Sequence, residues 1–408
     1  MTVLARYSAV LRGHGTAVPL VASVVGRLGL GMTGFALLLL VRETSGSYAA
    51  AGAVAGTYAL SFGALGPYRA RSADRGGPIR VLLFTAVLHP LALIALVATA
   101  SAGAPVWALL PSAVLGGATV PPHGPVMRNL WRKIVSGPAL ATAYSLESVA
   151  VELCFAIGPL LTALLASAVS PVAAVLVAAV MATVGALWMA GTPAVRDVQP
   201  HPAAGGGGRG GPLRSPAVRA LLLTVAGVGV GFGAIEVSLP AFVEDLGGRP
   251  ATGGLLLSVW AVGSIVGGLV YGGAQLSAPP RRQLPVLVAA LALSSALPLL
   301  ADGLVGMSAL MFVYGLTIAP FSACSSVLLS EAAPAGTTTE AFAWSSSMIF
   351  GGAAIGSALA GVLVERSGPT AGLLVTAGAG LVATVATVSG LLRMRPAPAP
   401  AVDVGGRD

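Results

Sequence analysis

Charge is what this chain lacks most: Asp, Glu, Lys and Arg together make up 9% of its 408 residues. A soluble domain carries roughly 25%. A globule of this length has too few charged side chains to clothe a water-facing surface, so hydrocarbon must be the solvent for most of the exterior. Aromatic residues are scarce as well, at 5%, and Lys133 is the only lysine. The two cysteines, Cys154 and Cys324, sit inside apolar runs, which excludes a disulfide framework and a thiolate metal site. Four scattered histidines form neither a metal-ligand spacing nor a catalytic constellation. No enzyme activity and no cofactor are expected. The run GGGGRGG at 205–211 lacks the Lys-Ser/Thr ending of a phosphate loop and follows no strand. An ATP-driven pump would therefore need a separate subunit. The N-terminal residues show no small-residue cleavage pattern, so the first apolar run is expected to stay as a helix.

What the chain does have is apolar residues, at 56%, and 55 glycines. That much glycine would weaken helices in water. In lipid, small residues let helices pack closely where no hydrophobic force draws them together. A membrane crossing takes about 20 mostly apolar residues, and twelve stretches qualify: 17–41, 48–69, 80–101, 104–127, 138–167, 171–192, 217–243, 250–275, 284–302, 305–330, 338–364 and 369–392. Residues 193–216 are polar and rich in Gly and Pro, as a flexible linker is. The expected fold is an all-α membrane protein of twelve transmembrane helices in two pseudo-symmetric six-helix bundles. The expected division is a bundle at 1–192, a linker at 193–216, a second bundle at 217–393 and a tail at 394–408.

The net charge is +8. Nucleic acid is excluded as the partner because the basic residues form no patch; they punctuate the apolar segments, as topology determinants do. Eighteen of the 22 lie on the side of the N-terminus, Arg42, Arg249 and Arg366 lie on the other, and Arg27 is left within the membrane. This asymmetry is expected to set both termini in the cytoplasm, and the bias of arginine over lysine, with the excess of Ala, Gly and Pro, points to a GC-rich bacterial genome and so to an inner membrane. The loop after the tenth stretch departs from the trend, with Glu331 and Glu340 and no basic residue.

The halves repeat each other. An offset of 202 lays Gly29, Gly31, Gly52 and Gly66 on Gly231, Gly233, Gly254 and Gly268. An offset of 198 lays Ala143, Ile157, Gly158 and Pro171 on Ala341, Ile355, Gly356 and Pro369. A parallel repeat of two six-helix units places a substrate site between them near mid-membrane.

Ala70-Arg71-Ser72-Ala73-Asp74-Arg75-Gly76-Gly77-Pro78-Ile79-Arg80, after the second stretch, resembles the signature loop of the major facilitator superfamily, G-x-x-x-D-R-x-G-x-x-R, with Ala70 in place of the first glycine. Asp74, Arg75, Gly77 and Arg80 stand where the family has them. The resemblance implies a latch between the cytoplasmic ends of the two halves, with Asp74 accepting hydrogen bonds and the arginines pairing with acids. The fifth stretch, with Gly158-Pro159, resembles the kinked fifth helix of the family's antiporters, but Cys154, Thr162 and Ala163 replace glycines of the full motif. The fourth stretch has Pro111, Pro121, Pro122 and His123 and lacks the arginine common in the family's drug antiporters. The second-half copy of the signature, Tyr271-Gly272-Gly273 leading to Arg281 and Arg282, has no Asp.

Ionisable residues at membrane depth cost at least about 2.5–3.5 kcal/mol on insertion scales and are functional candidates by default. Arg27 and Glu152 lie at similar depth and are expected to pair, either as a static tie or as a pair remade by protonation or cargo. Glu147, nearer the cytoplasm, is expected to join Arg128 or the loop arginines in the gate. Glu236, in the outer part of the seventh stretch, follows Gly229, Gly231 and Gly233; a carboxyl in such apolar surroundings can exchange a proton or recognise a cation. His89, in the third stretch, is a bundle residue or a relay. Trp260, Trp344, Tyr271, Tyr314 and Phe321 are candidates to line an apolar cavity. Together these residues point to a monomeric secondary transporter in the lipid bilayer, efflux-like, exchanging protons against a small molecule. The alternatives are the membrane subunit of another export system and a non-transporting sensor on the same fold.

Overall fold

The computed structural model describes residues 16–135, 139–197, 211–273, 278–334 and 337–393. Its helices are α1 Ala17–Ser45, α2 Tyr48–Gly76, α3 Pro78–Ser101, α4 Val106–Ala118, α5 His123–Ile134, α6 Ala139–Ala168, α7 Pro171–Gly191 and α8 Pro193–Arg196 in the first half. The second half holds α9 Pro216–Asp245, α10 Gly253–Gly273, α11 Pro280–Ala296, α12 Leu304–Gly315, α13 Ile318–Ala332, α14 Thr338–Ser367 and α15 Pro369–Arg393. Among the described residues there is no strand.

Local chemistry sets these boundaries. Prolines open α3, α7, α9, α11 and α15, where the missing N–H costs nothing. The side chains of Ser47, Ser170 and Ser215 accept from the N–H groups of Ala50, Ala173 and Val218 at the starts of α2, α7 and α9. Gly46 and Gly77 take φ of 70° and 86° at the ends of α1 and α2, conformations that a side chain disfavours.

Ten segments among the described residues are long and apolar enough to cross a membrane. The α4–α5 pair and α6, whose shorter apolar part is Leu153–Ala168, supply the other two crossings. On α3 the exposed Leu83, Phe84, Val87, Leu91 and Ile94 recur every three or four residues as one apolar face, which suits lipid.

Two sequence expectations are corrected. Residues 104–127 do not form one helix; the chain breaks between Ala118 and His123, because Pro121 and Pro122 have no N–H to continue the ladder. The signature segment is not an extended loop, since α2 runs on to Gly76 and α3 starts at Pro78, leaving Gly77 as the turn. Within 193–216, Pro193–Arg196 forms a helical turn and Pro212–Arg214 a 3-10 turn; residues 198–210 lie outside the described residues.

The repeat seen in the sequence reappears as contacts. A Cβ at Gly29 would lie 2.4 Å from the Ala178 carbonyl oxygen, and one at Gly231 would lie 3.7 Å from that of Thr376, the equivalent residue. A Cβ on Gly158 would strike Gly31 at 2.6 Å, and one on Gly356 would strike Val230. Pro171 and Pro369 each open the last long helix of their half. Even the breaks correspond: α4 ends at Ala118 and α12 at Gly315. The two halves are pseudo-symmetric six-helix bundles. Their hairpins at 45–48, 168–171, 245–253 and 367–369 share one end, here called distal; the chain ends and the inter-bundle connection share the other, the terminal end.

Candidate functional site

The halves meet through α2 against α14 and through α6 against α10. These contacts are one contact used twice. Gly52 lies under the carbonyl of Ser357, where a Cβ would be 2.3 Å from the oxygen, and Gly254 lies under the carbonyl of Pro159 at 2.5 Å. Gly52 and Gly254 are repeat mates, as are Pro159 and Ser357. Gly158-Pro159 therefore marks where α6 touches both α1, through Gly158, and the opposite bundle, through Pro159.

Between those two contacts α1 faces α9. Here residues meet their own repeat mates, which happens only on a twofold axis. Arg42 and Glu244 are 202 residues apart and joined at 2.6 Å. Gly34 and Glu236 have the same offset, and a Cβ on Gly34 would lie 3.0 Å from Glu236 Oε1. Glu236 is half-buried, and the hydrogen bonds and ion pairs of the described residues give its carboxylate no partner. Gly229 and Gly233 let α14 approach α9, at Ile349 and Ala353.

Among the described residues, the hydrogen bonds that join the halves gather at the distal end. Arg42 Nη2 and Nε donate to Glu244, and Tyr48 Oη donates to the same carboxylate at 2.8 Å. The Arg42 guanidinium also stacks 4.7 Å from the centre of the Tyr48 ring. Glu365 on α14 accepts from Ser47 Oγ and from the Ala49 N–H at 2.9 Å, so an acid from one bundle caps the α2 N-terminus of the other, a favourable place for negative charge. One further bond, Ser347 Oγ to the Gly63 carbonyl at 2.8 Å, lies nearer the terminal end. The sequence reading missed this distal latch. The signal was present: the repeat offset sets a basic residue, Arg42, on an acidic one, Glu244.

Inside the first bundle, Arg27 Nη2 donates to Glu147 Oε1 at 2.6 Å; the two side chains are 9% and 6% exposed. Arg128, itself exposed, reaches the same oxygen at 3.5 Å. The expected partner of Arg27 was Glu152; the structure gives it Glu147 instead. The reason is helical register. Cys154 Sγ donates to the Val24 carbonyl, Gly158 packs on Gly31, and Thr162 Oγ1 donates to the Met32 carbonyl. Glu147 lies on that stripe of three- and four-residue steps facing α1, and position 152 does not. The Glu152 side chain lies outside the described residues.

The α4–α5 break exposes carbonyls that Pro121 and Pro122 cannot satisfy, those of Gly117 and Ala118. Arg69 Nη1 donates to both, at 3.0 and 2.9 Å, and its Nη2 donates to the Phe62 carbonyl at 2.8 Å. His89 Nδ1 bonds the next carbonyl, Gly116, at 3.0 Å. Arg69, counted as a topogenic surface charge in the sequence, is 9% exposed and serves as an internal cap. His89 is 1% exposed and shares that task.

Of the signature residues, Gly77 is the buried turn with positive φ and Arg80 is exposed in the first turn of α3. The side chains of Asp74 and Arg75 lie outside the described residues. Among the described residues no group of His, Cys, Asp and Glu could hold a metal ion.

Two parallel six-helix bundles meeting on an axis, with polar groups placed along it, define a class of membrane transporters built from repeats. The sequence profile of the Major Facilitator Superfamily matches residues 20–297 and, overlapping, 221–408. The chain belongs to this superfamily, and its function is membrane transport. No curated protein sequence matches it at a significant level. Its fold is similar to the nucleoside transporter NupG, with TM-score 0.70 and 14% identity over 94% of this chain and 100% of that one. It is also similar to a bacterial homologue of the iron transporter ferroportin in an inward-facing state, with TM-score 0.72, 15% identity and coverage of 93% and 98%. The peptide transporter POT in complex with sulfate matches with TM-score 0.70, 16% identity and coverage of 96% and 98%. At these identities the likeness is one of fold.

Proposed function

We propose that the chain is a secondary transporter that exports a small molecule from a bacterial cell by alternating access, in exchange for protons. The observation that carries this reading is Glu236, a carboxylate without a partner among the described residues, set on the pseudo-twofold axis against Gly34. A titratable group on the axis stands where access must alternate from one face to the other. A carboxyl there that binds proton or cargo, but not both, couples the two flows.

The basic residues favour an orientation with both termini in the cytoplasm of the inner membrane. The distal end is then the outer face, and the Arg42–Glu244 latch belongs to a conformer sealed to the outside. The outward-open conformer would break that latch and close the opposite end. Asp74, Arg75, Gly77 and Arg80, with Arg128 and Glu147, are the residues proposed to hold it closed there. Glu147 already has two candidate cations, Arg27 and Arg128, so exchange between them needs no new buried charge. Gly158-Pro159, in contact with both bundles, is the proposed pivot. Glu152 is kept as a coupling candidate on sequence alone, whereas the bond His89 makes to Gly116 favours a capping role. The protein is proposed to act as a monomer.

The test is transport in proteoliposomes with an imposed pH gradient and a substrate panel. Wild type is expected to show cargo-dependent proton flux and Glu236→Gln none, with unchanged insertion and elution. Full proton-driven transport by a well-folded Gln variant would refute the coupling role.

A further inference from the structure

The surroundings of Glu236 carry a statement about cargo that builds on the reading just given. Phe232, one turn before Glu236 on the same face of α9, meets Trp260 of α10 edge-on, with ring centres 4.9 Å apart. Trp260 in turn lies 5.7 Å from Tyr314 of α12. Glu236 is nine residues from the distal end of α9, about 14 Å below it, and Trp260, seven residues into α10 from a start packed on Pro240, lies level with Phe232, about one turn deeper. The Arg42–Glu244 layer is eight residues above Glu236, about 12 Å. Acid and aromatics thus form adjacent turns of one layer beneath the latch, the rings just below the carboxylate.

This layer is not satisfied by its own residues. Among the described residues Trp260 Nε1 is buried with no hydrogen-bond partner, a costly state unless something else bonds it. Trp260 itself is only half-buried. The charge balance selects the sign of the guest. Arg27 is neutralised by Glu147, and the Arg69 guanidinium is taken up by three carbonyls. Glu236 is the charge left without a counterion at this depth among the described residues. A carboxylate beside aromatic faces suits a cation with an apolar body, through ion pairing and cation–π attraction.

We propose that this layer binds a monovalent organic cation with an aromatic-sized apolar body, its charge against Glu236 and its body against Phe232 and Trp260.

The probe is radiolabelled tetraphenylphosphonium, measured by equilibrium binding to the full chain in lipid nanodiscs. Saturable binding is expected, displaced by benzyltrimethylammonium and not by tetraphenylborate, an anion of the same shape. Glu236→Gln and Trp260→Leu are each expected to weaken it about tenfold, while Glu236→Asp and Trp260→Phe stay near wild type. Unchanged affinity in Glu236→Gln, equal competition by tetraphenylborate, or no saturable binding of either cation would overturn the assignment. If Glu236→Gln misfolds, the borate competition and the Trp260 pair decide the matter alone. The two readings separate cleanly. A Gln variant that binds normally but loses proton-driven transport removes the cation site and leaves coupling intact. Loss of binding, together with wild-type transport indifferent to the pH gradient, removes coupling and leaves the site.

Discussion

Arg27 and Glu147 show how much a single buried pair can decide. Each is desolvated, and their 2.6 Å bond offsets a cost neither could bear alone. Among the described residues Arg27→Met leaves Glu147 with only the exposed Arg128 as partner, and it is expected to lower stability by about 3–5 kcal/mol. The double variant Arg27→Met, Glu147→Leu is expected to recover most of that loss, because no charge is then stranded. Thermal unfolding in detergent, followed by size-exclusion fluorescence, measures both. Equal losses in the single and double variants would show that the pair does not act as a unit. The presence of a buried ion pair was legible in the sequence from two rare charges in apolar helices. Its membership was not, because matching by depth favoured position 152, whereas the face of α6 turned toward α1 carries position 147.

At the scale of elements, the fourth crossing is the informative one. Its two adjacent prolines made a break predictable in principle, yet its unbroken hydropathy suggested one helix. What holds the broken ends is remote in sequence: Arg69 from α2 and His89 from α3 converge on the carbonyls at 116–118. Arg69→Met is expected to cost about 1–3 kcal/mol per orphaned carbonyl. Restoring the donors with Pro121→Ala and Pro122→Ala is expected to soften that loss, since the carbonyls then regain helical partners. A double-mutant cycle on thermal midpoints reads the coupling directly; strict additivity would show that Arg69 does not act through the break.

For the whole molecule, the axis organises everything. Residues meeting their repeat mates give a line through Gly34–Glu236 and Arg42–Glu244, and paired glycine contacts flank it. The latch at its distal end is expected to set which face is open. In a background with Cys154→Ala and Cys324→Ala, spin labels at Val169→Cys and Val305→Cys, exposed distal positions of opposite bundles, report the separation. Arg42→Ala with Glu244→Gln is expected to add a longer-distance population in electron–electron resonance measurements. A distribution identical to that of the intact latch would show that these bonds do not govern opening.

Hydropathy, glycine content and the spacing of arginines determined by themselves that this chain crosses a membrane twelve times as a duplicated bundle. Those properties follow from the solvent and from local chain geometry, and they need no knowledge of neighbours. The two repeat offsets, 202 and 198, even held the equivalences that later became contacts. Which charges meet, which carbonyls are capped and which carboxylate is left alone on the axis were decided only in three dimensions. Each depends on the rotation of a helix about its own axis and on its approach to another, and a one-residue shift of about 100° changes both.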